Sequence, residues 1–312
     1  MTYMFEQISF IGFGLIASSL ARAIKAKNLA QKIAVFDISD DVIDETIKLN
    51  LADIAVKDYQ SVVKDADLVF ICTPVGASGE AFTKIAPFLK KGAIVSDVGS
   101  VKTTVVKDIA PQVSRGVYFI PAHPIAGTEK SGPAAGFAEL FQDRWCILTP
   151  LDGTPDDVVK KLSDLWQEIG SKVDTMTPEH HDKVMAIVSH LPHLIAYTIV
   201  ATADDMETHL KQEIIKYSAS GFRDFTRIAG SDPTMWRDIF LANKDAVLEV
   251  IQRFSEDLTA LQRAIRWNEG DKLFDLFTKT QKIRKEVIDA KQHIMENEKV
   301  YLTKTQGNST ND

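Results

Sequence analysis

Cysteine is scarce in this chain: 312 residues hold only Cys72 and Cys146, with no Cys-x-x-Cys pair. Both sit in apolar surroundings (Leu68 to Cys72 and Trp145 to Leu148). They read as small core residues of a reducing compartment, not as a disulfide frame or a zinc site. Positive charge is not in excess either. Lys and Arg number 36 against 43 Asp and Glu, and the net charge of −7 argues against a nucleic-acid or anionic-membrane surface. No uninterrupted apolar stretch approaches the roughly 18 residues that a bilayer span needs. Glu6 and Gln7 interrupt the N-terminal apolar residues, so Ile8 to Ile11 reads as a strand and not as part of a signal peptide. Internal repeats and low-complexity tracts are missing as well. These absences point to a cytoplasmic globular protein, and 312 residues fit two domains.

What is present falls into two patterns. Short apolar runs at Ile8 to Ile11, Lys32 to Phe36, Leu68 to Cys72, Ala93 to Ser96 and Val117 to Ile120 alternate with helical stretches. Such alternation predicts an α/β domain with a parallel, doubly wound sheet covered on both faces. A strand at Trp145 to Thr149, a helix at Pro155 to Ile169 and a strand at Lys172 to Met176 are expected to prolong it, giving a first domain over residues 1–176. Thr177 then suits a helix N-cap and Pro178 the first helical position. From there the periodicity is helical: Glu179 to Ala203, Asp232 to Asn243, Lys244 to Trp267 and Gly270 to Glu296. Val247, Ile251, Phe254, Leu258 and Leu261 form a stripe at three- and four-residue steps. So much apolar helix surface exceeds what one small domain covers, so residues 177–297 are expected to be an all-helical domain that also makes a homodimer. The polar tail, 298–312, is expected to be disordered.

Gly12-x-Gly14-x-x-Ala17 follows an apolar strand and opens a helix. Gly12 suits a tight turn, Gly14 allows the backbone to approach a pyrophosphate, and Ala17 is small enough for close strand–helix packing. Leu15 and Ile16 begin the helix whose free N–H groups favour phosphate. Asp37 closes the next strand, where a carboxylate can accept from ribose hydroxyls and repels a 2′-phosphate. Ser39-Asp40-Asp41 follow without an arginine, so the cofactor expected is NAD rather than NADP. Thr73 and Pro74, at the carboxyl end of a further strand, join the cofactor-binding set, as does Ser100.

The chemistry-bearing residues lie downstream. Asp97-Val98-Gly99-Ser100-Val101-Lys102 ends a strand, and open sheets bind ligands at the carboxyl ends of their strands. Pro121 to Glu129 places His123, Thr128 and Glu129 in what reads as one short loop. An imidazole, with its pKa near neutrality, can take a proton while a cofactor takes a hydride. Ser189-His190-Leu191-Pro192-His193 lies within a helical pattern, and Gly221 to Arg227 reads as a break between helices. His180 and His181 adjoin each other at a helix start. They cannot share one metal face at the i, i+4 spacing and are expected to be solvent-exposed; no metal site is expected.

The chain resembles the prephenate/arogenate (cyclohexadienyl) dehydrogenase family. The likeness runs from about Ile8 to about Arg284 and rests on five ordered blocks: GFGLIA, DVGSVK, HPIAGTEKSG, SHLPH and GFRDFTRIAGSDPTMWRDIF. It implies a Rossmann-type domain, an all-helical dimerisation domain, and NAD-dependent oxidative decarboxylation of prephenate, arogenate or both. By the same resemblance His123 is the catalytic base, and Ser100 orients that histidine and the nicotinamide. Arg227 would bind a substrate carboxylate, His193 and Ser189 would contact substrate, and Thr128 and Glu129 would stand at the pocket mouth, Glu129 pairing with Arg227 in the empty site. Neither the chorismate mutase domain nor the amino-acid-sensing domain of some relatives is expected here. Two alternatives stay open: a β-hydroxyacid or 6-phosphogluconate-type dehydrogenase, against which SHLPH and the Phe225-Thr226-Arg227 run speak, and a non-catalytic NAD sensor. Ser100 has the alternative of capping the helix that starts near Lys102, and Arg223 with Asp224 that of a local ion pair.

Overall fold

A computed structural model describes residues 3–128, 130–205 and 220–289. Six parallel strands form the main sheet: β1 (Phe5–Ile11), β2 (Ala30–Phe36), β3 (Ile54–Val56), β4 (Leu68–Ile71), β5 (Ile94–Asp97) and β6 (Tyr118–Phe119). Their order, β3-β2-β1-β4-β5-β6, reverses direction between β1 and β4. In such sheets the crevice at that reversal is where ligands bind. Strand alternation divides the core. Ile8 and Phe10 of β1 pack with Leu20 and Ile24 of α1 (Leu15–Lys27) and Trp166 of α6 (Asp156–Glu168) on one face. Ile11 packs with Phe82 of α4 (Val75–Ile85) and Val105 of α5 (Thr103–Ile109) on the other. Two short helices, α2 (Asp40–Lys48) and α3 (Tyr59–Val63), complete the covering layers.

Trp145 to Thr149 and Lys172 to Met176 do form strands, β8 (Trp145–Leu148) and β9 (Lys172–Thr175), but in a second, three-stranded sheet. Its remaining strand is β7 (Ala122–Pro124), antiparallel to β8, with His123 opposite Ile147. His123 is therefore a strand residue and not a loop residue. Strand β3 has no counterpart among the expected strands: it is three half-buried residues at the sheet edge.

Thr177 caps the next helix, its side chain accepting from the His180 amide at 3.2 Å, with Pro178 in the first turn. The helix runs from Pro178 to Asp204 as α7 (Pro178–Met185), a π-helical turn (Ala186–His190) and α8 (Leu191–Asp204). Pro192 has no N–H for the carbonyl one turn back, and the widened turn absorbs that loss. Although no uninterrupted apolar run reaches 18 residues, this helix is long and apolar enough on composition to cross a bilayer, with a mean hydropathy of 1.7 over its most apolar window. One face, however, buries His181, Asp182 and His190 in hydrogen bonds to protein, which marks it as a helix of a folded domain.

Gly221 to Arg227 is not a break. Among the described residues Ser220–Thr226 forms α9 and Arg227–Gly230 a 3-10 turn. Then follow α10 (Pro233–Ala242), capped by Asp232, α11 (Lys244–Arg266) and α12 (Gly270–Asp289). Trp236 and Ile239 of α10 join the core beneath α4 and α5. By compactness the chain divides into Met1–Ile251 and Gln252–Asp312. The expected tail, 298–312, lies outside the described residues.

Candidate active site

Ile11, Ile71 and Asp97 lie in one register row across β1, β4 and β5. At strand spacings near 5 Å, the segments that follow them are brought side by side at the carboxyl edge. Gly12 adopts φ +86°, and a Cβ there would stand 3.0 Å from the Cys72 carbonyl, so the turn against Thr73 and Pro74 needs glycine. Gly14 is different: its φ of −84° suits any residue, and nothing lies within 4 Å of where its Cβ would be. That open space lies at the start of α1, where Leu15 and Ile16 present amides without helical acceptors. Asp37 accepts from the Phe13 amide at 2.8 Å and the Ser39 amide at 2.9 Å. Each carboxylate oxygen accepts more than one hydrogen bond, so Asp37 both pins the turn and keeps capacity for hydroxyls. The donors, the open cradle and the fixed carboxylate fit a dinucleotide.

Ser100 follows Asp97 in the same edge. Its hydroxyl makes no hydrogen bond among the described residues, and it does not cap α5. Asp182 does that instead, accepting from the Lys102 amide at 2.8 Å and the Thr103 amide at 2.9 Å. Lys102 is fully buried. Its Nζ donates to Asp97 Oδ2 and, at 2.7 Å, to the Ala122 carbonyl, while Asp97 Oδ1 accepts from the Ala122 amide at 3.3 Å. Burial pushes the Lys102 ammonium down, and Asp97 opposes that. This ion pair locks β7 to β5 one residue before His123. Nothing in the sequence pattern assigned Lys102 a role; its signal is a lysine five residues after an aspartate at a strand end.

His123 is half-buried. Its Nδ1 lies 2.8 Å from His181 Nε2, and its Nε2 makes no hydrogen bond among the described residues. Burial, followed by the neighbouring His181 and Lys102, pushes its pKa well below the ordinary histidine range, so it is neutral. His181, expected at the surface, is instead fully buried, because its partners reach it from β7 and from Asp182; His180 is exposed as expected. His190 is also buried, with Nδ1 3.1 Å from Asn243 Nδ2, and burial lowers its pKa to about 4. The Asn243 amide donates in turn to the Asp182 carbonyl at 2.8 Å.

A second group faces this one from α8. His193 stacks on Trp236 with ring centroids 3.6 Å apart, and its Nδ1 donates to the Ser189 carbonyl at 2.9 Å, leaving Nε2 as an acceptor. Ser189 and His193 thus share one helix face. Arg227 is close enough for its charge to contribute to the lowered His193 pKa, after burial. Thr128 is half-buried and its Oγ1 accepts from the Lys130 amide at 3.2 Å. Glu129, and so its expected pairing with Arg227, lies outside the described residues. Arg223 and Asp224 form an exposed ion pair at 3.4 Å.

A family model described as the prephenate dehydrogenase nucleotide-binding domain matches residues 20–175, and one described as the prephenate dehydrogenase dimerization domain matches residues 177–279. The cyclohexadienyl dehydrogenase of Zymomonas mobilis is 44% identical over 281 residues, which are 90% of this chain and 96% of that protein. The prephenate dehydrogenase of Bacillus subtilis is 36% identical, over 89% of this chain and 75% of that one. Among solved structures, prephenate dehydrogenase of A. aeolicus in complex with hydroxyphenyl propionate and NAD+ superposes with a TM-score of 0.85 at 34% identity, covering 90% of this chain and 98% of the other. Arogenate dehydrogenase of Synechocystis gives 0.76 at 26% identity, covering 90% and 99%. With its glycine turn, its strand-borne histidine and these matches over both halves, the chain belongs to the prephenate dehydrogenase family.

Proposed function

We propose that this protein oxidatively decarboxylates prephenate to 4-hydroxyphenylpyruvate, arogenate to tyrosine, or both, in tyrosine biosynthesis and with NAD. One observation carries this reading: a neutral His123, its Nε2 unengaged among the described residues, on a strand that Lys102 and Asp97 tie to the sheet edge bearing the glycine turn. Gly12, Gly14, Leu15, Ile16, Asp37, Thr73 and Pro74 hold the dinucleotide, whose oxidised nicotinamide accepts the hydride from the ring carbinol carbon. His123 takes the hydroxyl proton, help typically worth about 10²–10⁴-fold. Ser100, one turn from the helix start and with its hydroxyl uncommitted, serves the same hydroxyl or the nicotinamide. Loss of the ring carboxylate as CO2 is driven by aromatisation, so the protein supplies aim and a base rather than an acid strong enough to force the cleavage.

Arg227 binds a substrate carboxylate, a charged hydrogen bond contributing about 1.5–3 kcal/mol. His193 and Ser189 line the substrate side, His193 offering a fixed acceptor, with Thr128 and Glu129 at the mouth. We divide the chain functionally at 176/177. The helical part makes a homodimer: Leu258, Ile265, Trp267, Phe274 and Phe277 are each more than half exposed in the single chain, an apolar surface that water does not favour. A cytoplasmic location suits the two free thiols. The decisive assay follows NADH formation from prephenate and from arogenate, each with NAD and with NADP. Turnover with NAD on at least one substrate is expected; none on either would refute the assignment.

A further inference from the structure

His123 is backed by a buried chain of two more groups. His181 Nδ1 lies 2.8 Å from Asp182 Oδ1, and His181 Nε2 lies 2.8 Å from His123 Nδ1. Chemistry fixes the direction of both bonds. A carboxylate only accepts, so His181 Nδ1 carries the proton and, in a neutral ring, its Nε2 is bare. A bare Nε2 accepts, so His123 donates from Nδ1, and its own Nε2 keeps the lone pair, unbonded among the described residues. Asp182 is ionised: burial works to raise its carboxyl, but hydrogen bonds from His181, the Lys102 amide and Thr103 outweigh it. The charged and titratable groups around His181 are Asp182, Lys102, Asp97, His123 and His190.

We propose that His181 and Asp182 are positioning residues that fix His123 in the tautomer with a bare Nε2 and share the proton it takes, forming a buried store for that proton. The inference rests on the reaction assigned above. The ring O–H bond breaks and its proton joins His123 Nε2, while the His123 Nδ1 proton shifts to His181 Nε2, leaving an imidazolium paired with Asp182. When CO2 departs, its bonding pair moves through the ring to the oxygen, and the proton runs back along the same path to make the phenol. The proton is borrowed and returned to one oxygen. A store that leads nowhere is therefore sufficient, and one closed to solvent keeps the proton where it is needed. This is the logic of a Ser-His-Asp triad with a second imidazole inserted between base and carboxylate.

The test uses the 15N-labelled full chain without ligand. Long-range proton–nitrogen spectra at neutral pH are expected to show both His123 and His181 protonated on Nδ1. A wild-type His123 protonated on Nε2 would overturn the proposal, and this measurement decides even where variants do not fold. In His181→Leu, His123 should revert to the Nε2–H form, with kcat lower by about 10²-fold or more and substrate KM within about threefold. His181→Gln still accepts from His123 but cannot carry a proton. It should restore the tautomer while recovering only part of kcat. A Leu variant with wild-type kcat sinks the whole inference; a Gln variant with wild-type kcat sinks the sharing of the proton. Wild-type assays run alongside separate the causes, since a wild-type chain that forms no NADH counts against the reaction and not against the tautomer.

Discussion

The two sides of the proposed site, one for the dinucleotide and one for substrate, are built from different materials. The first is made largely of backbone: a positive-φ glycine, an open glycine, helix amides and one carboxylate that ties the turn to itself. The second is drawn from side chains on β7, α7, α8, the 3-10 turn at Arg227 and α10, and its histidines are held by another side chain or a carbonyl. A backbone cradle tolerates change around it. A side-chain site depends on every member of the chain of contacts that aims it. The contrast predicts where substitutions act, and it can be broken.

The largest effect is expected at His123. His123→Asn should lower kcat by about 10²–10⁴-fold with substrate binding nearly unchanged; near-normal turnover in steady-state assays would move the base elsewhere. Next is Lys102→Met, which leaves Asp97 buried without its ion-pair partner and should cost about 3–5 kcal/mol in denaturant unfolding. An unchanged midpoint would mean that the buried pair does not hold β7. Arg227→Ala should raise substrate KM by the equivalent of about 1.5–3 kcal/mol while KM for NAD stays put; equal shifts in both would remove Arg227 from the substrate side. The two glycines separate backbone shape from ligand space. Gly12→Ala should lower Tm, whereas Gly14→Ala should keep Tm and weaken NAD binding by calorimetry, because its methyl enters only the open cradle.

The mildest expected effect is on acid stability. His123, His181, His190 and His193 all have pKa values lowered, by burial first. Below the unfolded value of about 6.5 the unfolded chain binds more protons than the folded one, so stability is complete above that pH. It declines as pH falls from about 6.5 toward the folded values, about 4 for His190. Thermal melts across that window should slope less in His190→Gln, and identical slopes would contradict the assignment.

Legibility in the sequence follows the same division. The glycine turn, Asp37 and the buried strands are local signals, because a strand buried on both faces is a continuous apolar run. Strand β3 is three half-buried residues with no strong pattern, whereas β9 is expected although its Lys172 and Asp174 carry no apolar alternation. The second sheet arises from pairing between distant segments, which periodicity does not encode. The sequence shows His181 beside His180 at a helix start with no local sign of burial; its burial is decided by His123 and by the Lys102 and Thr103 amides that its neighbour Asp182 caps. A histidine–aspartate dipeptide in the first turns of a capped helix was the available clue. His123, Arg227 and His193 stand out in the sequence only because five motifs occur together.

One carboxylate, Asp182, joins two tasks: it caps α5 and holds His181. Until α7 docks, α5 begins with bare amides and the imidazole beyond it has nothing to lean on. A chain caught at that stage can shape its glycine turn but has an unaimed base. Asp182 thus couples the two: the proposed base has its backing only where α7 is docked.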